Sequence, residues 1–235
     1  MNAGIGATTN SDGEIEHDAG VMEGTELRTG AAGAIQGVRH PVDLAHAVMR
    51  HGKHALLVGP GAVSFARENG VELADHSIFM TDRQRLRQDA EFQPADTVGA
   101  VARDDDGRIA VAVSTGGMYG KHPGRVGDSP LAGAGFYARD DWGGAVGTGH
   151  GESYIRLVLC HLACIELGHG MTAQEAADGA VKLLGERMEA QGGIIVIDSA
   201  GNPAAAYNTP FMPWAERHSM EPAGDPEYPR GAART

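Results

Sequence analysis

Residues 96–118 read DTVGAVARDDDGRIAVAVSTGGM. Two apolar runs, TVGAVAR and RIAVAVS, are joined by DDDG, the pattern of a β-hairpin turning on an Asp-Gly pair. The segment in front, DRQRLRQDAEFQPAD at 82–96, is charged and without period. With residues 75–81 it reads as a loose internal linker. The linker stops at Thr97. A hydroxyl is a weak nucleophile and needs a base beside it. Were the chain severed before Thr97, that residue's own α-amino group, with an ordinary pKa of about 7.7–8.0, would supply one. This is the N-terminal threonine form of the nucleophile-and-base pair. An exposed internal loop is also where a chain can be cut without unfolding. The expectation is one domain over 1–235, divided into a first part, 1–96, and a second part, 97–235.

The chain has 31 acidic and 19 basic residues, a net charge of −12. No basic stripe is present to neutralise phosphates, which argues against nucleic acid or an anionic membrane as partner. The 35 glycines are about twice ordinary usage. They fall inside apolar runs such as GAAGAIQGVR, GGAVGTGHG and QGGIIVID, where they suggest close backbone approach or turns that cradle a ligand. Cys160 and Cys164, four apart in an apolar stretch, share one face of a helix and read as buried, reduced thiols. No stretch reads as a signal peptide, transit peptide or membrane span, so a cytoplasmic protein is expected. His40, His46, His51 and His54 crowd together, but their spacing does not set three on one helix face, and no carboxylate pair accompanies them. No metal site is expected there.

Along the chain, the N-terminal residues read as a short strand, an Asn-Ser-Asp-Gly turn at 10–13 and a second strand, and TGAAGAIQGVR as a third. Residues 41–50 form a helix with Pro41 in its first turn, an apolar face of Leu44, Ala45, Val48 and Met49, and Gly52 beyond its end. HALLVG reads as a short buried strand, followed by a helix over 61–69. Beyond the hairpin at 97–114 come a glycine-rich loop over 115–140 and a strand over 142–148. A helix over 152–167 follows, apolar nearly all round and so buried. A further helix starts at Thr172, with Glu175 completing a capping box and Ala177, Val181, Leu184 and Met188 along one side. GGIIVID and PAAAYNT make a last hairpin, and the tail from Arg217 is rich in proline and charge. No internal repeat is visible.

Five stretches carry a resemblance: NAGIGA at 2–7, DTVGAVA at 96–102, STGGM at 114–118, PGRVGDSPLAGAG at 123–135 and TGHGE at 148–152. Together they resemble the plant-type asparaginase and isoaspartyl peptidase family of the N-terminal nucleophile hydrolases, over nearly the whole chain. The resemblance implies an α/β, more strictly α+β, fold: a four-layer αββα sandwich. It implies self-cleavage between Asp96 and Thr97, with Thr97 the nucleophile and Thr115 a second threonine supporting its hydroxyl and amine. Arg125 would clamp the substrate's α-carboxylate, a task suited to a planar fork. Asp128 would meet its α-ammonium group. From the residues alone, an Arg and an Asp three apart most often pair with each other in a solvated loop; glycines on both sides and the nearby hairpin favour the zwitterion reading. Thr148, Gly149 and Gly151 would form the oxyanion hole and substrate floor, because a T-G-x-G turn opening a helix exposes backbone N–H groups. Asn2 would sit near the nucleophile, in a loop that in relatives binds a structural sodium ion through carbonyls. No catalytic metal or other cofactor is implied.

The implied substrates are small: L-asparagine and β-aspartyl dipeptides. The implied assembly is a dimer of αβ heterodimers. Asp96 before the threonine looks more like the glycosylasparaginase branch, whereas the GGIIVID hairpin looks like the asparaginase branch. Tyr119 and Gly120 replace small polar residues usual after STGGM. Relatives carry a strand with an H-G-G motif and a helix ahead of NAG, so the chain reads as an N-terminally shortened member or a mis-started reading frame. Asn2 is then expected at a frayed terminus, and the chain to fold poorly and cleave slowly or not at all. Two rivals accompany the hydrolase reading: a glycosylasparaginase-like amidase, and a remnant that neither self-cleaves nor hydrolyses.

Overall fold

Residues 2–51, 53–81 and 97–218 are described by the computed structural model. Asp96, most of the linker, Gly52 and the tail from 219 lie outside the described residues. Among the described residues, period-two alternation in the apolar runs yields nine strands in two sheets. The first sheet holds β1 (His17–Glu23), β2 (Thr29–Ile35), β3 (Leu56–Val58), β4 (Val98–Arg103) and β5 (Ile109–Thr115), in the order β3-β2-β1-β5-β4. Only the β2–β3 pair is parallel. The second sheet is antiparallel, β6-β7-β8-β9, from β6 (Phe136–Arg139), β7 (Gly143–Gly149), β8 (Gly192–Asp198) and β9 (Pro203–Tyr207).

Each strand turns alternate side chains to opposite faces. In β5, Ile109, Val111 and Val113 face inward and meet Met22, Phe136, Ala138 and Val146, which closes the two sheets on each other. Burying such side chains fully contributes about 1.5–3 kcal/mol each. The outer face of the first sheet is covered by α1 (Pro41–His51) and α2 (Gly59–Glu68), through Leu44, Val48, Ala62 and Ala66 against Ala32, Ile35 and Val38. The outer face of the second is covered by α4 (Leu159–Gly168) and α5 (Ala173–Met188). Thr172 caps α5: its hydroxyl accepts from Glu175 N–H while the Glu175 carboxylate accepts from Thr172 N–H. The result is the four-layer αββα sandwich. Cys160 and Cys164 are free and buried.

Four expectations need correction. HALLVG supplies β3, but as an edge strand with Leu56 37% and Val58 52% exposed, because only β2 flanks it. The loop over 115–140 contains β6. The single helix over 152–167 is broken at Val158, which adopts φ 51° and ψ 47° and separates α3 (Gly151–Leu157) from α4. Residues 75–81 are not loose: a 3-10 turn, His76–Ile78, starts where the Asp75 carboxylate accepts from Ser77 N–H, and Phe79 is buried with Ala7 and Ile15.

Candidate active site

The in-register pairing of β1, β5 and β4 stacks their inward residues in rows. Met22, Val111 and Val101 form one row; Gly20, Val113 and Gly99 the next. Asp18 pairs with Thr115 in the third, and Thr97, one residue before the Val98–Ser114 pair, lies opposite Thr115. β7 crosses below. A Cβ on Gly144 would fall 2.9 Å from Val101 Cγ1, and one on Gly99 would collide with Val146 Cγ1. Two residues further along, the same faces of the two strands carry Thr97 and Thr148. At this end, the apolar filling between the sheets gives way to Asp18, Thr115, Thr97 and Thr148.

Thr115 is buried, and its Oγ1 accepts from Gly117 N–H at 3.0 Å. It therefore caps the strand end, as a plain structural threonine would, while its hydroxyl hydrogen stays available to a neighbour. Asn2 does not fray. Its Nδ2 donates to Gly117 O (2.6 Å), its Oδ1 accepts from Thr8 N–H (2.7 Å) and its carbonyl accepts from Gly116 N–H (2.7 Å). These bonds tie the N-terminal loop to the STGG turn, which is why the terminal position is 5% exposed.

Arg125 does not pair with Asp128. Its Nε and Nη2 donate to Glu152 Oε1 at 3.0 and 2.8 Å. Three glycines close round the guanidinium: a Cβ on Gly127 would fall 2.7 Å from Nη1, one on Gly151 2.8 Å from Nη2, and one on Gly117 3.3 Å from Nη1. The Gly117 approach links the arginine to the Thr115 strand end. Asp128 lies against the same Gly151, whose added Cβ would fall 2.8 Å from Oδ1. Its Oδ2 is buried and accepts no hydrogen bond among the described residues. Burial pushes the Asp128 carboxyl up to about 7, against the pull of its own backbone N–H and of Arg125. A buried acceptor with nothing donating to it is costly unless a ligand supplies the donor.

Two carboxylates absent from the sequence reading hold this loop. Glu16 accepts from Gly124 N–H (3.0 and 3.2 Å). Asp18, fully buried, accepts from Gly127 N–H (2.8 Å) and Ala34 N–H (2.9 Å). Burial raises the Asp18 carboxyl, with Lys121 opposing. Lys121 is itself buried; its Nζ donates to Glu16 O at 2.8 Å, and burial lowers its pKa. The signal was present in "EHD" at 16–18, acidic residues two apart where an apolar strand begins. Period two sends such a pair to one side of the sheet.

Thr148 and Gly149 end β7, paired with Gly193 and Gly192. Gly149 has φ 148°, and a Cβ there would fall 2.6 Å from Gln191 O, so only glycine fits. His150 N–H donates to Gln191 O (3.2 Å) and is not free to hold an oxyanion. For the sodium ion implied by resemblance, the carbonyls of Asn2 and Gly4 are already engaged, the first by Gly116 N–H, the second by Ala7 N–H and His17 Nε2. A cation would rest on the other carbonyls of that turn alone, and no chemistry below is routed through one. Among the described residues no group of three or more His, Cys, Asp or Glu is placed to hold a metal, and no helix is long and apolar enough to cross a membrane.

A family profile described as asparaginase matches residues 1–96 and 84–223. The chain belongs to the asparaginase family. Members similar to it include the isoaspartyl peptidase/L-asparaginases of Bos taurus, at 39% identity over 226 residues, and of Danio rerio and Homo sapiens, each at 40% over 226 residues. Each alignment covers 92% of this chain and 73% of the relative. This asparaginase-family chain thus carries the polar end of its sandwich on the strands and loops where the five sequence motifs fall.

Proposed function

We propose that the protein is a self-cleaving amidohydrolase that hydrolyses L-asparagine and β-aspartyl dipeptides to release L-aspartate. The observation that supports this reading is the polar end of the inter-sheet space, where Asp18, Thr115 and Thr97 follow one another across adjacent strands and Arg125 lies beside Gly117 of the STGG turn. In self-cleavage the Thr97 hydroxyl attacks the Asp96 carbonyl and the peptide nitrogen leaves. That departure frees the Thr97 amine, and water then hydrolyses the resulting ester, freeing the Thr97 hydroxyl and leaving Asp96 as a carboxylate. In turnover that amine takes the hydroxyl proton as Oγ1 attacks the substrate's side-chain carbonyl. Ammonia or an amino acid departs with the proton, and water releases aspartate from the β-aspartyl ester. Thr115 steadies the nucleophile, and backbone groups about Thr148, Gly149 and Gly151 hold the oxyanion. Arg125 binds the α-carboxylate, and the α-ammonium group supplies the donor that Asp128 Oδ2 lacks. The names of the similar Bos taurus, Danio rerio and Homo sapiens proteins support the substrate class.

We extend the proposal to assembly: the two fragments stay together as one sandwich, which pairs into a dimer of heterodimers. Intact mass tests the first step and should give two fragments separated between Asp96 and Thr97. The cleaved protein should then release aspartate from a β-aspartyl dipeptide. An uncut, inactive chain would support the remnant instead, and preference for a glycan-linked asparagine would support the amidase rival. Arg125→Lys keeps the charge and loses the fork, so KM should rise about tenfold or more while self-cleavage persists. Light scattering of the cleaved protein should give the mass of two sandwiches.

A further inference from the structure

Arg125 meets a resident carboxylate before any substrate arrives. Glu152 Oε1 takes the Nε and Nη2 hydrogens, the side edge of the guanidinium. The other edge, Nη1, lies against Gly117 and Gly127 on the side of the STGG turn. The two partners differ in exposure: the Arg125 side chain is 14% exposed, whereas that of Glu152 is 42% exposed. Glu152 Oε2 is buried and has no hydrogen-bond partner among the described residues, with His150 Nε2 3.5 Å away, while His150 Nδ1 lies 2.8 Å from Ser153 Oγ. Glycine at 117, 127 and 151 leaves the guanidinium the room that a Cβ would fill, and Glu152 fixes its rotation about the last side-chain bond.

We infer that Glu152 is a positioning residue for substrate recognition: it locks Arg125 with Nη1 turned toward the α-carboxylate position, and does not itself touch the substrate. This rests on the proposed role of Arg125. The opposite role, a carboxylate competing with substrate for the arginine, predicts the opposite sign. A donor fixed in advance loses less freedom on binding, so its removal weakens ground-state and transition-state binding alike.

The test compares a β-aspartyl dipeptide bearing the free α-carboxylate with the same dipeptide carrying an α-amide. Glu152→Gln should raise KM on the carboxylate substrate about tenfold, leave kcat within about twofold, and leave KM on the amide unchanged. Glu152→Asp, which keeps the charge on a shorter stem, should recover part of the loss. Fragments cut at Thr97 in every variant would show that the sandwich has formed. An unchanged or lowered KM, or an equal rise on the amide, would overturn the inference. Calorimetric binding of L-aspartate asks the same question without turnover, and Glu152→Gln should weaken it about tenfold. A wild-type chain that binds aspartate but hydrolyses nothing would sink the functional reading, and the variant's Kd would still decide this one.

Discussion

Two ends of the same inter-sheet space differ by four residues along each strand. At one end Met22, Val111 and Val101 sit in a row against Phe136, Ala138 and the partly buried Ile195 and Ile197. At the other, the same three strands present Asp18, Thr115 and Thr97. The hydrogen-bonded frame is common to both. What changes is how buried groups are satisfied: by dispersion and exclusion of water at the apolar end, by named donors and acceptors at the polar one. Apolar packing and buried polar bonding are thus separable by position on a single strand.

The sharpest break is Thr97→Ala. It should leave one uncut chain and lower hydrolysis at least a thousandfold (roughly the scale for losing a nucleophile), with thermal stability nearly unchanged. Retained activity on a β-aspartyl dipeptide would remove the nucleophile from the polar end. Met22→Ala tests the other end, where a cavity should cost about 2–5 kcal/mol in urea unfolding while kcat per folded molecule holds. A loss of kcat with no loss of stability would show that the ends are not separate.

His17 precedes Asp18 on β1 and is fully buried, with Nε2 3.1 Å from Gly4 O. Burial lowers its pKa from 6.5 to about 4. The folded protein keeps the ring neutral, so below pH 6.5 the unfolded chain binds the extra proton. This contribution to stability is present above pH 6.5 and is lost as pH falls from 6.5 to 4, amounting to about 3 kcal/mol. Stability against pH in wild type and His17→Leu should differ in slope over that window; parallel curves would refute it.

Asp128→Asn should give the smallest and most telling effect. With its pKa raised from 3.8 to about 7, the folded state holds a proton that the unfolded state releases between those values. Stability therefore falls as pH rises across that window and is not regained above it. The variant should melt higher at pH 8, by about 2–4 °C for each 1 kcal/mol relieved, yet bind substrate poorly. At the apolar end truncation costs stability; here neutralisation adds it. A melting point lowered at pH 8 would reverse that contrast.

Much of this was legible because the elements obey simple periods. The alternation in TVGAVAR and RIAVAVS with its Asp-Gly turn sets the hairpin register, and that register sets Thr97 opposite Thr115. Thr172 and Glu175 announced the start of α5. The break at Val158 was hidden because the stretch is apolar on every side and a valine gives no sign of a bend. β6 was hidden because four residues are too few to show a period, and an apolar run such as LLV does not say whether a neighbour covers it. Arg125, Asp128 and Gly151 do converge. That Arg125 faces Glu152 rather than Asp128 depends on β7 and α3 approaching the loop, a contact between segments 27 residues apart. The masking of Asp18 inside HDAGV has the same origin, since its donors are at 34 and 127.

Val158 separates two tasks as well as two helices. It holds a left-handed conformation that a β-branched residue adopts at a cost of about 1–2 kcal/mol. α3, which carries Gly151 and Glu152 to the site, is thereby re-aimed independently of α4, whose Cys160, Ala163 and Cys164 are fixed in the core. With Val158 44% exposed, the tension sits at the surface, where an engineer can reach it. Asparagine tolerates this conformation far better, and Val158→Asn would convert a local discomfort into longer service life at elevated temperature without touching Gly151 or Glu152.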